Sequence, residues 1–223
     1  MRLSILHLVF ICIATTVFMF FMFAKWQGKN EHIRDLNWEI LFQQARIANL
    51  NEQGNKVLTY VKISKGLDIL ADAKLSQKQK DILTEKLFAI SSDYKIDPLL
   101  ILAVIKHESK GNPRARGAYT SGIASGALGL MQIKYESARE AARSVGIRIN
   151  SPEDLFNPEI NLMVGTAYLL RLIAKYQNLQ HALIAYNIGF GALDEKLKSG
   201  GTLPMRYYGA IMKEYRLLAE NIF

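Results

Sequence analysis

In the stretch DPLLILAVIKHESKGNP, residues 97–113, a long apolar run ends on Glu108. Ile105, Val104 and Ile101 precede Glu108 by three, four and seven positions. On a helix these residues share one face. A carboxyl group emerging where such a stripe ends is partly desolvated, which disfavours its charged form and raises its pKa. The partial negative charge at a helix C-terminus pushes the same way. A carboxyl held neutral near pH 7 is what a general acid needs. The competing reading is an ordinary solvated glutamate at a helix end, the commonest state of a charged side chain. Gly111 and Pro113 stop the helix just beyond Glu108, which leaves the carboxyl open to a substrate.

Other chemistries find little support. His107-Glu108 lacks the second histidine of a zinc-protease motif, because position 111 is glycine. His7, His32 and His181 have no ligand spacing, so no metal is expected, and no cofactor motif is present. There is no Gly-x-Ser-x-Gly, and the single cysteine, Cys12, lies in an apolar N-terminal run. Most glycosidases pair two carboxylates. Asp97 lies eleven residues upstream of Glu108, roughly 16 Å along a helix axis, too far to share a site. Glu153, Asp154 and Glu159 read as helix-start residues.

The elements that must position Glu108 are helical. Ser76 and Gln79 fit a capping box opening a helix to about Tyr94. Asp97-Pro98 opens the helix that carries Glu108, and Asn157-Pro158 repeats the device. Helices also fit 135–145, 158–176, 179–187 and 204–220, with long loops at 110–128 and 188–203. No sustained period-two run is visible, so the expected class is all-α.

Residues 3–24 contain no Asp, Glu, Lys or Arg and are long enough to cross roughly 30 Å of hydrocarbon. Bulky Met and Phe stand where a signal peptidase needs small residues, which favours an uncleaved anchor over a cleaved signal. Trp26 is placed to sit at the membrane interface. Between 32 and 72 the apolar residues recur at helical spacing, in stripes at Ile33, Leu36, Ile40, Ile47 and Leu50 and at Val57, Val61, Leu67 and Leu70, punctuated by Gly54 and Gly66. The expected organisation is an anchor at 1–25, a helical spacer at 26–75 and a catalytic domain at 76–223. The net charge of +8 suits an anionic partner, but no arginine-rich helix or Cys/His finger points to nucleic acid.

Three further stretches follow in order: GALGLMQI at 126–133, NPEINLMVGTAYLLRLI at 157–173 and ALIAYNIG at 182–189. With the Glu108 segment, they resemble the soluble (SLT-type) lytic transglycosylases, over about residues 80–220. The resemblance implies a goose-type lysozyme-like fold acting on peptidoglycan glycan strands. It implies that Glu108, in the Glu-Ser pair with Ser109, is the catalytic acid and base. Met131 and Gln132 would line the sugar cleft, and Tyr186 and Asn187 would face the catalytic centre. Tyr207 fits the last tyrosine, with Ile211 and Tyr215 following in register; Tyr208 is the competitor. The loop between Glu108 and Gln132 is about six residues longer than the family pattern. Ser125, or alternatively Ser121, would there contact an N-acetyl group.

The implied reaction needs one carboxylate. Glu108 protonates the oxygen of the MurNAc–GlcNAc bond, then takes the proton of the C6 hydroxyl as it attacks C1, giving a 1,6-anhydro sugar. The implied location is a bacterial inner membrane, single-pass, with the catalytic domain on the periplasmic, wall-facing side, in possible contact with secretion or division machinery. A hydrolytic muramidase on the same fold, or a non-catalytic wall-binding module of a secretion or flagellar assembly, are the alternatives.

Overall fold

The computed structural model describes residues 5–71, 74–117, 119–120 and 123–222. Its chain divides into two compact units, Met1–Lys56 and Val57–Phe223. The first helix, α1 (Ile5–Ala71), continues through Gly54 and Gly66 without a break. In the first unit the described side chains are almost all exposed, including Phe10 to Phe23 and Trp26. Phe10–Asn30 is apolar and long enough to cross a membrane.

The second unit is helical, as its patterning requires. Ser76 caps α2 (Gln77–Tyr94) through a reciprocal box: its hydroxyl accepts from the Gln79 N–H, and its own N–H donates to Gln79 Oε1. Asp97 caps α3 (Pro98–Ser109) by accepting from the Leu99 N–H at 2.9 Å, with Pro98 at the first turn. These devices satisfy donors that a helix start leaves unpaired. Helices α4 (Tyr135–Ser144), α5 (Pro158–Tyr176), α6 (Leu179–Ile188), α7 (Phe190–Ser199) and α8 (Met205–Ile222) follow. Asn157 caps α5, accepting from Glu159 and Ile160.

The core is built around α3, whose residues Pro98 to Ile105 are all buried. One side of α3 packs along α8; α5 packs against α2, α4 and α6. The core recruits Ile63, Leu67, Leu70 and Ala71 from the end of α1. The second unit begins at Val57, and Leu67 and Leu70, from the second stripe of α1, belong to its core. Gly111 serves this junction. Its backbone has φ +74°, and a Cβ there would lie 2.6 Å from the Leu70 carbonyl and 2.8 Å from Ala71 Cα. Only glycine allows both the left-handed turn and that approach.

Both expected loops carry structure. Residues 190–199 form α7, held by the buried Leu193 and by Asp194, which pairs with Lys175 at 2.6 Å and accepts from the Tyr176 hydroxyl. A helix this short, with one buried anchor and glycines at both ends, leaves no periodic signal. The 110–128 segment and the turn that follows it carry two short pairs of strands. Strands β1 (Tyr119–Thr120) and β2 (Ile123–Ala124) pair antiparallel, as do β3 (Ala127–Leu128) and β4 (Ile133–Lys134). Strands of two residues are below what alternation can reveal.

Candidate active site

Glu108 sits in the last turn of α3, above the fully buried Ile101, Val104 and Ile105. Burial raises its carboxyl pKa from the ordinary range to about 7, against the opposing hydrogen bond from Tyr207. The Tyr207 hydroxyl, from the first turn of α8, donates directly to Glu108 Oε1. Tyr207 is buried, its phenol is pushed far up by burial and by the charge of Glu108, and its ring meets His107 edge-on at 5.1 Å. Tyr208 packs against the core as a partly buried side chain, so of the two tyrosines Tyr207 is the one paired with Glu108.

A cleft of about 430 Å³ opens beside Glu108. Its walls include Ser125, Gln132, Lys134, Tyr186 and Asn187. Tyr186, at the end of α6, donates its hydroxyl to the Met131 carbonyl at 2.9 Å and stacks obliquely on Tyr168 at 5.5 Å. Its own pKa is raised well above the phenol range by burial first and then by Glu108. Gln132 adopts a left-handed backbone, φ +48°, and its amide nitrogen donates to the carbonyls of Ala115 and Gly129 at 3.0 and 2.9 Å. This ties the loop after α3 to the turn before α4. Ser125 Oγ accepts from the Ala127 N–H at 3.3 Å and comes so near the backbone of Gly117 that a Cβ there would lie 1.7 Å away. Glycine at 117 is what admits the serine.

Three of the expected contact residues are not among those lining the cleft: Tyr207, whose hydroxyl is given to Glu108, Met131 and Ser109. Met131 is fully buried and does not line the cleft; its side chain lies against Gly165 and Thr166. The Gly-Leu-Met-Gln turn points its apolar member into the core, and the backbone of Met131, not its thioether, serves the site. Ser109 Oγ turns back to the Ile105 carbonyl at 3.2 Å, the usual recourse of a hydroxyl inside a helix, and is likewise absent from the cleft wall. Ser121 lies outside the described residues.

The sequence reading missed Asn161. This asparagine is fully buried in α5, and its side chain accepts from the Met131 N–H at 2.8 Å and donates to the carbonyls of Leu128 and Leu155 at 2.9 and 2.8 Å. It staples the Met131 turn from behind. The available signal was a lone amide at a core position of an apolar helix, since a buried polar group has to find partners. Lys134, Ser137 and Tyr168 on the cleft wall also went unassigned. Among the described residues no group of three or more His, Cys, Asp or Glu gathers to hold a metal. Glu108 is the one carboxylate among the described residues of the cleft wall.

Comparison with known proteins identifies the domain that carries this cleft. The transglycosylase SLT domain matches residues 85–208. The chain is 33% identical over 137 residues to a transglycosylase of Enterobacteria phage PRD1, covering 61% of this chain and 44% of that protein. It is 39% identical over 121 residues to the endo-type membrane-bound lytic murein transglycosylase A of Cronobacter sakazakii, covering 50% and 55%. The chain thus spans about half the length of these relatives. Among solved structures, the 70 kDa soluble lytic transglycosylase of Escherichia coli is similar with a TM-score of 0.45 and 26% identity, over 62% of this chain and 22% of that one.

Proposed function

The chain belongs to the transglycosylase SLT domain family, and from that premise we propose that it is a lytic transglycosylase of peptidoglycan, with Glu108 as its single acid and base. The observation that carries this reading is a carboxyl with a pKa of about 7, reached by one tyrosine hydroxyl, in a cleft with no second carboxylate among its described residues. A carboxyl titrating near neutrality can give a proton and take one back within one turnover. Glu108 protonates the glycosidic oxygen of a MurNAc–GlcNAc linkage as the C1–O bond breaks. The N-acetyl oxygen of MurNAc stabilises the cation that develops at C1. The Glu108 carboxylate then removes the C6 hydroxyl proton while that oxygen bonds to C1. The product is a 1,6-anhydro sugar and no water is consumed. Intramolecular attack supplies by proximity what a second carboxylate supplies elsewhere. Ser125, Gln132, Tyr186 and Asn187 hold the sugar; Met131 and Asn161 hold the wall that carries them.

The proposed location is a bacterial inner membrane, with the apolar helix as anchor and the catalytic unit on the wall side. The length and composition of Phe10–Asn30 support it. Division or secretion machinery is the proposed setting, and a basic chain suits an acidic wall polymer. The test is digestion of purified wall by the full chain, read by mass spectrometry. Products lighter by one water than hydrolytic fragments are expected, and none from Glu108→Gln. Hydrated products would make the protein a muramidase, and no release by the wild type would make it a binding module.

A further inference from the structure

In the first unit, α1 carries an apolar seam that the fold leaves uncovered. Ile33, Ile40 and Ile47 recur every seven residues; Leu36, Gln43 and Leu50 recur at the same interval, three residues later. This is a heptad with β-branched isoleucine at position a and leucine at position d, the combination that favours parallel two-stranded coiled coils. The side chains are on the surface: Ile33 is 45%, Ile40 53%, Ile47 57% and Leu50 59% exposed. Helices draw most of their stability from packing an apolar face, and among the described residues of its own unit this face has no partner that buries it. Gln43 interrupts the apolar seam at one d position. Gly54 takes the next a position and ends the seam.

We infer that residues 33–50 form a parallel, in-register coiled coil with a second copy of this chain. Charge separates this occupant from a lipid surface. Over residues 31–53, Arg34 and Arg46 stand against Glu31, Asp35, Glu39 and Glu52, a net charge of −2. A helix lying on anionic headgroups carries the opposite excess. A second copy meets no such penalty. In a parallel pair Glu39 at position g faces Gln44 at position e of the partner helix, and Arg46 faces Asn51, so no like charges meet along the seam. The inference is independent of any enzymatic activity.

Cysteine cross-linking in the full chain tests it, in detergent and in native membranes, with Cys12→Ser as background. Single cysteines at Ile33 and at Leu50, opposite ends of the seam, should each give disulfide-linked dimers on mild oxidation. Trp38→Cys and Ala45→Cys, on the outer f positions, should give several-fold less. Efficient linkage only when Ile33→Cys and Leu50→Cys chains are mixed would mean an antiparallel pair and overturn the inference. So would equal linkage at all four positions, or linkage at none. Light scattering of the same detergent-solubilised chain gives a second readout. The wild type should have the mass of a dimer, Ile40→Glu with Ile47→Glu that of a monomer, and Trp38→Glu that of the wild type. A monomeric wild type overturns the inference without reference to any variant.

Discussion

Helices α3 and α8 join carboxylate to tyrosine twice, once at each end. At the start of α3, Asp97 accepts from the Tyr215 hydroxyl at 2.5 Å; at its end, Glu108 accepts from Tyr207. The partners are of the same chemical kind on the same pair of helices. Their surroundings differ. Asp97 also accepts the Leu99 N–H and caps the helix, and its tyrosine bond lies exposed. Its hold shows on the partner, since the Tyr215 phenol is pushed up to about 12 by that bond first. Glu108 has Ile101, Val104 and Ile105 beneath it and has a pKa of about 7. A carboxylate–tyrosine pair is a fastener at one end and, in the function proposed above, a proton-transfer device at the other, with desolvation making the difference.

The contrast can be broken most sharply by Glu108→Gln. Glycan release should fall by about 10³-fold, within the range that general acid–base groups supply, with the circular dichroism spectrum unchanged. Near-wild-type release would dissolve the distinction between the two ends. Next in size is a stability effect. Between pH 4.5 and about 7 the folded protein holds a proton on Glu108 that the unfolded chain has lost, so this group's contribution is complete below pH 4.5 and falls as pH rises through about 7. The loss amounts to about 3 kcal/mol at most. Urea titrations of wild type and Glu108→Gln at pH 5 and pH 8 should differ in slope by that order, with the variant flatter.

A smaller effect should follow Tyr207→Phe. The hydroxyl lowers the Glu108 pKa, so its removal should move the loss of kcat/KM at high pH further upward while reducing the maximum by about tenfold, the equivalent of one charge-assisted hydrogen bond. A profile unmoved in pH would separate Tyr207 from Glu108. The least effect belongs to the other end. Asp97→Asn should leave turnover within about twofold and lower stability by about 0.5–1 kcal/mol, as loss of a partly replaceable cap does. Thermal melting and a turnover assay on the same preparation check both halves.

Much of this was legible in the sequence because it rests on local rules. The caps at Ser76, Asp97 and Asn157, the helix containing Glu108 and the apolar stripe beneath it follow from neighbours a few positions apart. The pairing of Tyr207 with Glu108 spans 99 residues, and only the motif resemblance brought it into view. What stayed hidden depends on the direction a side chain takes once the chain has folded. Met131 and Gln132 are adjacent, yet one enters the core and the other the cleft, because Gln132 takes a left-handed turn that no pattern announces. Asn161 looked like one polar residue in an apolar helix, and its value lies in three partners from two other segments. α7 and the strand pairs were too short for periodicity to show.

The hydrogen bonds behind the cleft wall also decide what a ligand can offer to it. Tyr186 has spent its one hydroxyl proton on the Met131 carbonyl, and both amide protons of Gln132 go to backbone carbonyls. Each therefore presents lone pairs to the outside. Ser125 is the reverse case: its oxygen takes the Ala127 N–H and leaves its proton to give. The wall thus has a polarity of its own. Donor groups find acceptors along the tyrosine and glutamine side, whereas Ser125 offers a hydroxyl proton to an acceptor.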